Sequence, residues 1–440
     1  MPIDTGRNYL AIPGPSVSPE RVLRAMHRTA PNIYEGEIVE MTVGIVADLK
    51  RVALTNQHVA IYITNGHGAW EAANCNMFSR GDRALVVATG RFGHGWAEGL
   101  ARQGVAVDTL DFGKSAPADP GRIADALRAD PSHQIKAVLV THVDTASSAR
   151  NDLPAIRAAI DSTGHPALLA VDAVASLGCD ELRMDDWGID VVVGASQKGL
   201  MLPPGLGFLW FSDKALAASQ GADLNTPYWD WRPRGLGAQF WQYFGGTAPT
   251  HHLYGLREAL TMILDEEGLE AVWARHRRLA SAAWAAFNAW GKGSSIALNV
   301  ADPGARGHSV TAATIPGGGA GALRRWLSGT GVQAGLLTLF VRHTSCSLLI
   351  QENADPDVQR DLKAWFNRLV PPSNDPSMRW ITHTLEGPDD MPAHIKAAHL
   401  PVSLQIPVIG GTMALGSWQG IYIVEHRTKP HKRQVTVLLR

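Results

Sequence analysis

The sequence has few cysteines, no excess of charge of either sign and no long apolar segment. Its three cysteines, Cys75, Cys179 and Cys346, are widely spaced among 440 residues and match neither a metal site nor a redox pair. They are therefore expected to be free thiols in a reducing compartment. The formal net charge is -1 without a long basic segment, which argues against nucleic acid or an anionic membrane as a partner.

No stretch reaches the roughly 18 uninterrupted apolar residues of a membrane span, and the N-terminus has no apolar core of signal-peptide length. The sequence thus predicts a cytoplasmic protein that binds small molecules. Its 45% hydrophobic and 18% charged residues are ordinary for globular proteins, and the length allows two or three domains.

Two apolar segments are each followed by a side chain with useful chemistry. The segment 166–174 contains Asp172, and the segment 189–195 leads to Lys198. Both segments are typical of buried parallel strands, whose carboxyl ends present ligand groups at one edge of a sheet. A lysine and an aspartate placed there suit pyridoxal 5'-phosphate, because the lysine can form a Schiff base while the aspartate keeps the pyridine nitrogen protonated. A lone lysine after an apolar segment is more often a solvated strand end.

A glycine turn follows another predicted strand, Val59–Ile63, and opens a helix with Gly66, His67 and Gly68. Free backbone N–H groups and the positive end of the helix dipole would make this turn a phosphate site. A simple tight turn is the alternative, and His67 could be a structural polar residue.

The segments Val171–Gly178 and Ala195–Phe208 resemble the class V aminotransferases of the alanine–glyoxylate and serine–glyoxylate group. The resemblance implies an α/β large domain of the fold type I pyridoxal-phosphate transferases, with a mainly parallel sheet between helices. It also implies that Lys198 and Asp172 are catalytic. The arm that contains Gly14, Pro15 and Ser16 agrees with this family.

The same resemblance implies roles for further residues around the cofactor. Phe92 is expected to stack on the pyridine ring, and Thr145 is the expected hydroxyl contact, with Ser147 as its competitor. The other positions carried over as cofactor-binding are Val174, Gln197 and, reaching the partner's cofactor phosphate across a homodimer, Tyr243 and Thr247.

A different family begins where the small domain of an aminotransferase is expected. The family's substrate-binding arginine segment does not occur, and from about residue 331 the chain resembles the YjbQ-type secondary thiamine-phosphate synthases. The motifs that carry this resemblance are 336–348, Gln351–Pro356, Glu386–His394, Leu415–Tyr422 and Glu425–Arg427. It implies a compact α+β domain that usually forms trimers, and both families lay claim to the predicted strand and helix at 308–330.

The C-terminal region is rich in histidine and carboxylate side chains, which can bind a metal or a phosphorylated ligand. Their spacing matches no helical zinc motif, so the metal stays unknown, and a polar surface with satisfied histidines is the alternative. The resemblance points to a site formed by His343, His383, Asp390, His394, Trp418 and Gln419.

The sequence therefore predicts a fusion of an aminotransferase large domain (1–300), a remnant of the small domain (301–330) and a YjbQ-like domain (331–440). The predicted reaction is transamination between alanine or serine and glyoxylate, slowed by the truncated small domain. The alternative is a vestigial cofactor-binding module with activity, such as thiamine-phosphate synthesis, in the C-terminal domain. A homodimer is expected, with a higher oligomer such as a dimer of trimers as the alternative.

Overall fold

Two units of different architecture make up the described chain, one within Leu10–Pro316 and one within Gly317–Arg440. The computed structural model describes residues 12–237, 239–293, 295–315, 334–353, 355–409, 412–429 and 431–439.

A seven-stranded sheet forms the centre of the N-terminal unit, with the spatial order β1-β7-β6-β5-β4-β2-β3. Only β7 runs against the other six strands, so the predicted mainly parallel sheet is confirmed. The strands are β1 (His58–Thr64), β2 (Arg83–Ala88), β3 (Ala106–Asp111), β4 (Ile135–Thr141), β5 (Leu168–Asp172), β6 (Val191–Ala195) and β7 (Gly205–Phe211).

Apolar clusters cover both faces of this sheet. Side chains alternate along a strand, so Val59 and Ile61 of β1 join the cluster on one face while Ala60 and Tyr62 join the cluster on the other. The helices of this unit are α1 (Glu20–Met26), α2 (Glu37–Ala53), α3 (Gly66–Met77), α4 (Arg91–Arg102), α5 (Pro120–Arg128), α6 (Leu153–Asp161), α7 (Asp213–Ala218), α8 (Trp231–Leu236), α9 (Thr250–Thr261) and α10 (Leu269–Gly291). Because both faces are buried, the central strands are apolar throughout rather than alternating with polar residues.

The carboxyl ends of the parallel strands meet at one edge of the sheet, and the helices α3 and α4 begin there. Asp172 is the last residue of β5, and Lys198 follows the end of β6 at Ala195. The fold therefore brings the two predicted catalytic side chains to the same edge. A short strand pair, β8 (Ala297–Leu298) with β9 (Ala313–Thr314), ends the described part of this unit.

The C-terminal unit is an α+β structure with antiparallel strands, as predicted. Four strands pair in the order β13-β12-β10-β15, and β11 pairs with β14. Its elements are β10 (Ala334–Val341), β11 (Cys346–Glu352), α11 (Pro356–Leu369), α12 (Asp390–Ala398), β12 (Ser403–Ile409), β13 (Thr412–Met413), β14 (Gln419–Glu425) and β15 (Val435–Leu439). Most of the helix predicted for 308–330 lies outside the described residues.

Two expectations from the sequence concern free thiols and membrane-spanning segments. Cys75, Cys179 and Cys346 are buried free thiols. Within the described ranges no helix combines the length and apolar character needed to cross a membrane.

Candidate functional site

Lys198 lies in a cavity of about 270 Å³ at the carboxyl edge of the sheet, here called the lysine cavity. Its Nζ donates a hydrogen bond of 2.7 Å to the carbonyl oxygen of Pro13. Burial lowers the pKa of Lys198, and the nearby Asp172 partly opposes that shift. The side chain is therefore more readily neutral, and so more nucleophilic, than an exposed lysine.

The arm, residues 12–16, contacts the segment that carries Lys198. The backbone N–H of Ser16 donates to the carbonyl oxygen of Gln197 at 2.8 Å. A Cβ atom at Gly14, where φ is +137°, would lie 2.5 Å from Lys198 Nζ. Glycine is thus required here for two reasons, backbone conformation and the close approach of the lysine.

Asp172 lies beside Lys198 with its carboxyl group buried. One carboxyl oxygen accepts a hydrogen bond of 2.8 Å from the backbone N–H of Val174. Burial raises the pKa of Asp172 to about 7, although the Val174 N–H and Lys198 both lower it. A positively charged group placed against this carboxyl would favour its ionised form.

Three rings form one wall of the lysine cavity. The ring of His67 meets Trp70 edge-on at 4.8 Å between centroids, and Phe92 lies 6.3 Å from Trp70 in a similar orientation. Behind them Trp96 stacks on Trp70 at 5.8 Å. This support fixes the orientation of the rings that face the cavity.

The predicted phosphate turn differs from the expectation in one respect. The backbone N–H groups of His67 and Gly68 are not free, since both donate to the side-chain oxygen of Asn65 at 3.0 and 3.4 Å. Asn65 is therefore the N-cap of α3. Gly66 lines the cavity, but a Cβ at Gly68 would meet the Thr64 hydroxyl at 1.9 Å, so this glycine serves the packing of the turn.

Asp144 organises the first turn of α4 beside the cavity. Its carboxylate accepts hydrogen bonds from the backbone N–H groups of Phe92 at 2.8 Å and Gly93 at 3.3 Å, at the first turn of α4. Thr145 lines the cavity directly after it. The competing Ser147 is buried, and its hydroxyl accepts from the backbone N–H of Ala149 at 3.1 Å.

Most of the predicted cofactor residues share this one cavity, whereas Gly68, Tyr243 and Thr247 do not line it. Tyr243 is half-buried and Thr247 is exposed. The predicted residues that line the cavity are Gly66, His67, Phe92, Thr145, Asp172, Val174, Gln197 and Lys198.

The cavity fits pyridoxal phosphate by its donor set and by one unpaired polar atom. It combines a lysine of lowered pKa with a buried carboxyl group. Its wall also contains Gln197, whose side-chain Oε1 is buried without a hydrogen-bond partner. Buried polar atoms are rarely left unpaired, so the position of this oxygen is explained if a polar ligand belongs there.

The C-terminal unit brings His383, Asp390 and His394 together, here called the His–Asp cluster. Their ligand atoms all lie within 4.8 Å of one another. His383 Nε2 is 2.9 Å from one oxygen of Asp390, and His394 Nε2 is 3.6 Å from the other. Asp390 and His394 lie one turn apart on α12.

Arg427 holds the carboxylates around this cluster. It contacts one oxygen of Asp390 closely and lies 3.2 Å from Asp389. Hydrogen bonds from Thr428 and Arg427 keep the pKa of Asp389 far below its ordinary value, with the Thr428 backbone N–H the largest contributor.

The remaining residues predicted for the C-terminal site are less closely grouped. His343 Nδ1 accepts from the backbone N–H of Ser345 at 3.1 Å, and burial lowers the pKa of His343 while the charge of Arg433 lowers it further. Trp418 is about half exposed. Gln419 pairs with Glu352 at the start of β14, and its side chain accepts from the backbone N–H of Gly416. No hydrogen bond joins Trp418 or Gln419 to the His–Asp cluster among the described contacts.

The residues at the lysine cavity that were not singled out from the sequence include Trp70 and Asn65, which line it, and Pro13, which contacts Lys198. Trp70 lies three positions after His67 on α3, a spacing that puts both on one helix face. Asn65 precedes the helix start, where asparagine is a preferred N-cap. The contact of Pro13 with Lys198 joins residues 185 positions apart and has no local signal.

Comparisons with known proteins agree with the geometry of both units. The family described as aminotransferase class-V matches residues 9–335, and the family described as UPF0047 protein YjbQ-like matches residues 321–439. The two matches overlap at residues 321–335, which includes the end of the segment that both families were predicted to claim.

Individual relatives support each part of the chain. A serine–glyoxylate aminotransferase from Methylorubrum extorquens is 40% identical over 298 residues, which cover 65% of this chain and 72% of the relative. A UPF0047 protein from Synechocystis is 53% identical over 108 residues, covering 24% of this chain and 71% of the relative.

A solved structure supports the fold of the first part. The alanine–glyoxylate aminotransferase from Nostoc superimposes with a TM-score of 0.63 and 27% identity, covering 72% of this chain and 82% of the other. The chain is therefore a pyridoxal-phosphate-dependent enzyme that belongs to the class V aminotransferases, with a YjbQ-like domain fused at its C-terminal end.

Proposed function

We propose that the N-terminal unit transfers the amino group of alanine or serine to a 2-oxo acid such as glyoxylate. The observation that carries the proposal is the shared cavity of Lys198 and Asp172, in which burial makes the amine of Lys198 more readily neutral. The serine–glyoxylate specificity of the Methylorubrum relative supports the choice of substrates.

Lys198 and Asp172 carry the chemical roles in this proposal. The bound cofactor supplies an electron sink for the pair released when the Cα–H bond of the substrate breaks. Lys198 Nζ holds the cofactor in the resting enzyme and, once freed, accepts the Cα proton and returns it to the neighbouring carbon. Asp172 would hold the proton on the ring nitrogen of the bound cofactor.

The other residues bind and orient. Gly66, His67, Thr145 and Gln197 hold the polar groups of the cofactor, while Val174 and Phe92 enclose its ring between apolar surfaces. Tyr243 and Thr247 lie outside the cavity, and we assign them to the cofactor phosphate of a second subunit. A homodimer completes the site in this proposal, and light scattering that finds a stable monomer with bound cofactor would argue against it.

Replacement of Lys198 by alanine tests the proposal. Reduction with borohydride should fix the cofactor to Lys198 in the wild-type enzyme, and Lys198→Ala should lose both that adduct and turnover of alanine or serine with glyoxylate. Lys136→Ala is the matched control, because Lys136 is an exposed lysine of β4 outside the cavity. An adduct on another lysine would disprove the assignment, and an adduct on Lys198 without turnover would favour a vestigial module.

We further propose that turnover is slow. The family's substrate-binding arginine segment is replaced by the YjbQ-like domain, with residues 301–330 as the remnant of the small domain. Loss of a positioned charge-assisted pair to the substrate carboxylate costs on the order of 2 to 4 kcal/mol, or roughly 30- to 1,000-fold in rate. Turnover equal to that of a serine–glyoxylate aminotransferase with an intact small domain, assayed side by side, would refute this part.

A further inference from the structure

We propose that the His–Asp cluster of His383, Asp390 and His394 binds one divalent transition-metal ion. This site lies wholly within the C-terminal unit and does not depend on the aminotransferase reaction proposed above. The three side chains offer two imidazole nitrogens and a carboxylate whose ligand atoms lie within 4.8 Å of one another.

The helix sets two of the three ligands on one face. Asp390 and His394 are separated by four positions, about one turn of α12, so both side chains point to the same side. His383 reaches the same carboxylate from the segment before the helix, at 2.9 Å. Asp390 is buried, whereas His383 and His394 are partly exposed, which leaves a path for an ion from solvent.

The hydrogen bond of His394 fixes which of its nitrogens is free. Its Nδ1 lies 3.1 Å from the carbonyl oxygen of Thr344, and a carbonyl can only accept, so Nδ1 carries the proton. In the neutral ring Nε2 then bears a lone pair, and it faces the Asp390 oxygen at 3.6 Å. A nitrogen lone pair and a carboxylate oxygen that point at each other repel unless a cation lies between them. In addition, a metal-binding histidine usually donates its other ring N–H to a carboxylate or backbone carbonyl, as His394 Nδ1 does here.

The charges around the cluster leave room for a dication. Asp389, Asp390 and Glu386 surround the single guanidinium of Arg427, which lies 3.7 Å from Glu386 and closer to the two aspartates. Three carboxylates outnumber this guanidinium and the ammonium of Lys396, whose pKa burial lowers while the charge of Asp389 raises it. The excess negative charge favours a cation at the cluster.

The ligand types select the class of metal. Imidazole nitrogen favours zinc, iron and similar ions over magnesium and calcium, which prefer oxygen. Two histidines and one carboxylate occur both in catalytic zinc sites and in iron(II) sites, and in both they leave coordination positions open. The site is thus suited to an ion that also binds water or a small ligand.

Zinc binding to the intact, cofactor-loaded chain tests this proposal. Chelator-treated protein without a histidine tag is titrated with Zn²⁺ against a coloured competitor, and Co²⁺ is then added to record its visible spectrum. We expect one ion per chain. His383→Ala and His394→Ala should each weaken the affinity by more than the roughly 10- to 100-fold typical of losing an outer support.

His399→Ala is the matched control, because His399 is an exposed histidine at the end of the same helix whose Nδ1 lies 2.7 Å from the Ile395 carbonyl oxygen. That variant should bind zinc like the wild-type protein, and thermal unfolding should verify that the variants remain folded. Undiminished zinc binding in both cluster variants overturns the proposal. So does a wild-type protein that binds inorganic phosphate at the cluster and no zinc.

Discussion

In the N-terminal unit the aspartate of the candidate site is buried and its lysine is partly buried, whereas in the C-terminal unit one of the two histidines is exposed and the other partly so. Burial is the largest influence on the pKa of Lys198 and of Asp172, and it moves both toward the neutral form. Around Asp390, by contrast, Arg427 and two histidines gather, and the neighbouring Asp389 is kept ionised by hydrogen bonds.

The difference shows how the surroundings of a carboxyl group suit it to different tasks. A carboxyl group that is neutral when alone can respond to a positively charged ring nitrogen, so Asp172 is suited to a cationic cofactor. A carboxylate kept ionised by its neighbours is ready to bind a cation at any ordinary pH. The following experiments test this contrast, beginning with the largest expected effect.

The stability of the cofactor-free protein should reveal the raised pKa of Asp172. The folded pKa is about 7 and the ordinary value is 3.8, so the folded state holds a proton in this interval that the unfolded state has lost. The protonated carboxyl group of Asp172 therefore contributes fully to stability below pH 4, and this contribution is lost as the pH rises to about 7. Replacement by asparagine should remove this loss, which amounts to about 4 kcal/mol.

Denaturant unfolding of the cofactor-free wild-type protein and the Asp172→Asn variant between pH 4 and 8 measures this difference. His142, whose pKa burial lowers to about 4, changes stability in the opposite direction, but it is common to both proteins and cancels. A difference in unfolding free energy that does not change with pH would mean that Asp172 is ionised in the folded protein.

Asp172→Ala should separate cofactor binding from turnover. We expect borohydride still to fix the cofactor to Lys198, while turnover falls on the order of 100-fold, equivalent to about 2.7 kcal/mol, because the ring nitrogen loses its proton. Mass spectrometry of the reduced protein and a steady-state assay measure the two effects. Equal loss of both would assign Asp172 to cofactor retention.

Gly14→Ala should expose Lys198. The added Cβ would lie 2.5 Å from Lys198 Nζ and should break the hydrogen bond to Pro13. Loss of a hydrogen bond that contributes about 0.5 to 1.5 kcal/mol should make Lys198 react roughly 2- to 10-fold faster with an amine-modifying reagent in the cofactor-free protein.

Gly113→Ala is the control for this effect, because Gly113 also has a positive φ, +77°, but an added Cβ there would meet no atom within 4 Å. The reactivity of Lys198 should not change in that variant. The same increase in both variants would trace the effect to backbone strain rather than to the contact with the lysine.

Arg342→Ala should have the smallest effect. Arg342 comes after the strand and helix that both families claim, about where the family's substrate arginine is expected, but it follows the end of β10 and is exposed. We expect turnover and stability to change within about 0.5 kcal/mol. A collapse of turnover would show that the C-terminal unit supplies a substrate contact.

The sequence predicted the elements of the N-terminal unit that depend on local pattern. The predicted strand Val59–Ile63 lies within β1 at His58–Thr64, and the apolar segments 166–174 and 189–195 contain β5 and β6. Buried strand ends also brought Asp172 and Lys198 together as expected. These features follow from periodicity and from the geometry of parallel sheets.

Features that depend on distant contacts or on single side chains were missed. The contact between Pro13 and Lys198 forms only when the arm is folded against the lysine. In the glycine turn, the N–H groups that were expected to be free donate to the side chain of Asn65. The helix α12 was not predicted because Pro392 lies inside it. Proline is tolerated in the first turn, where the missing N–H would have no partner within the helix.

The side chain of Asn65 competes with any approaching anion for the backbone N–H groups in the first turn of α3. Its side-chain oxygen already occupies the N–H groups of His67 and Gly68, at an effective concentration that the backbone keeps high. An incoming anion must therefore exchange with this amide rather than add to free donors. The exchange favours a charged group over a neutral one, since an ionised acceptor forms stronger hydrogen bonds than the amide oxygen of Asn65. The turn thus disfavours a neutral ligand even before any side chain of the cavity contributes.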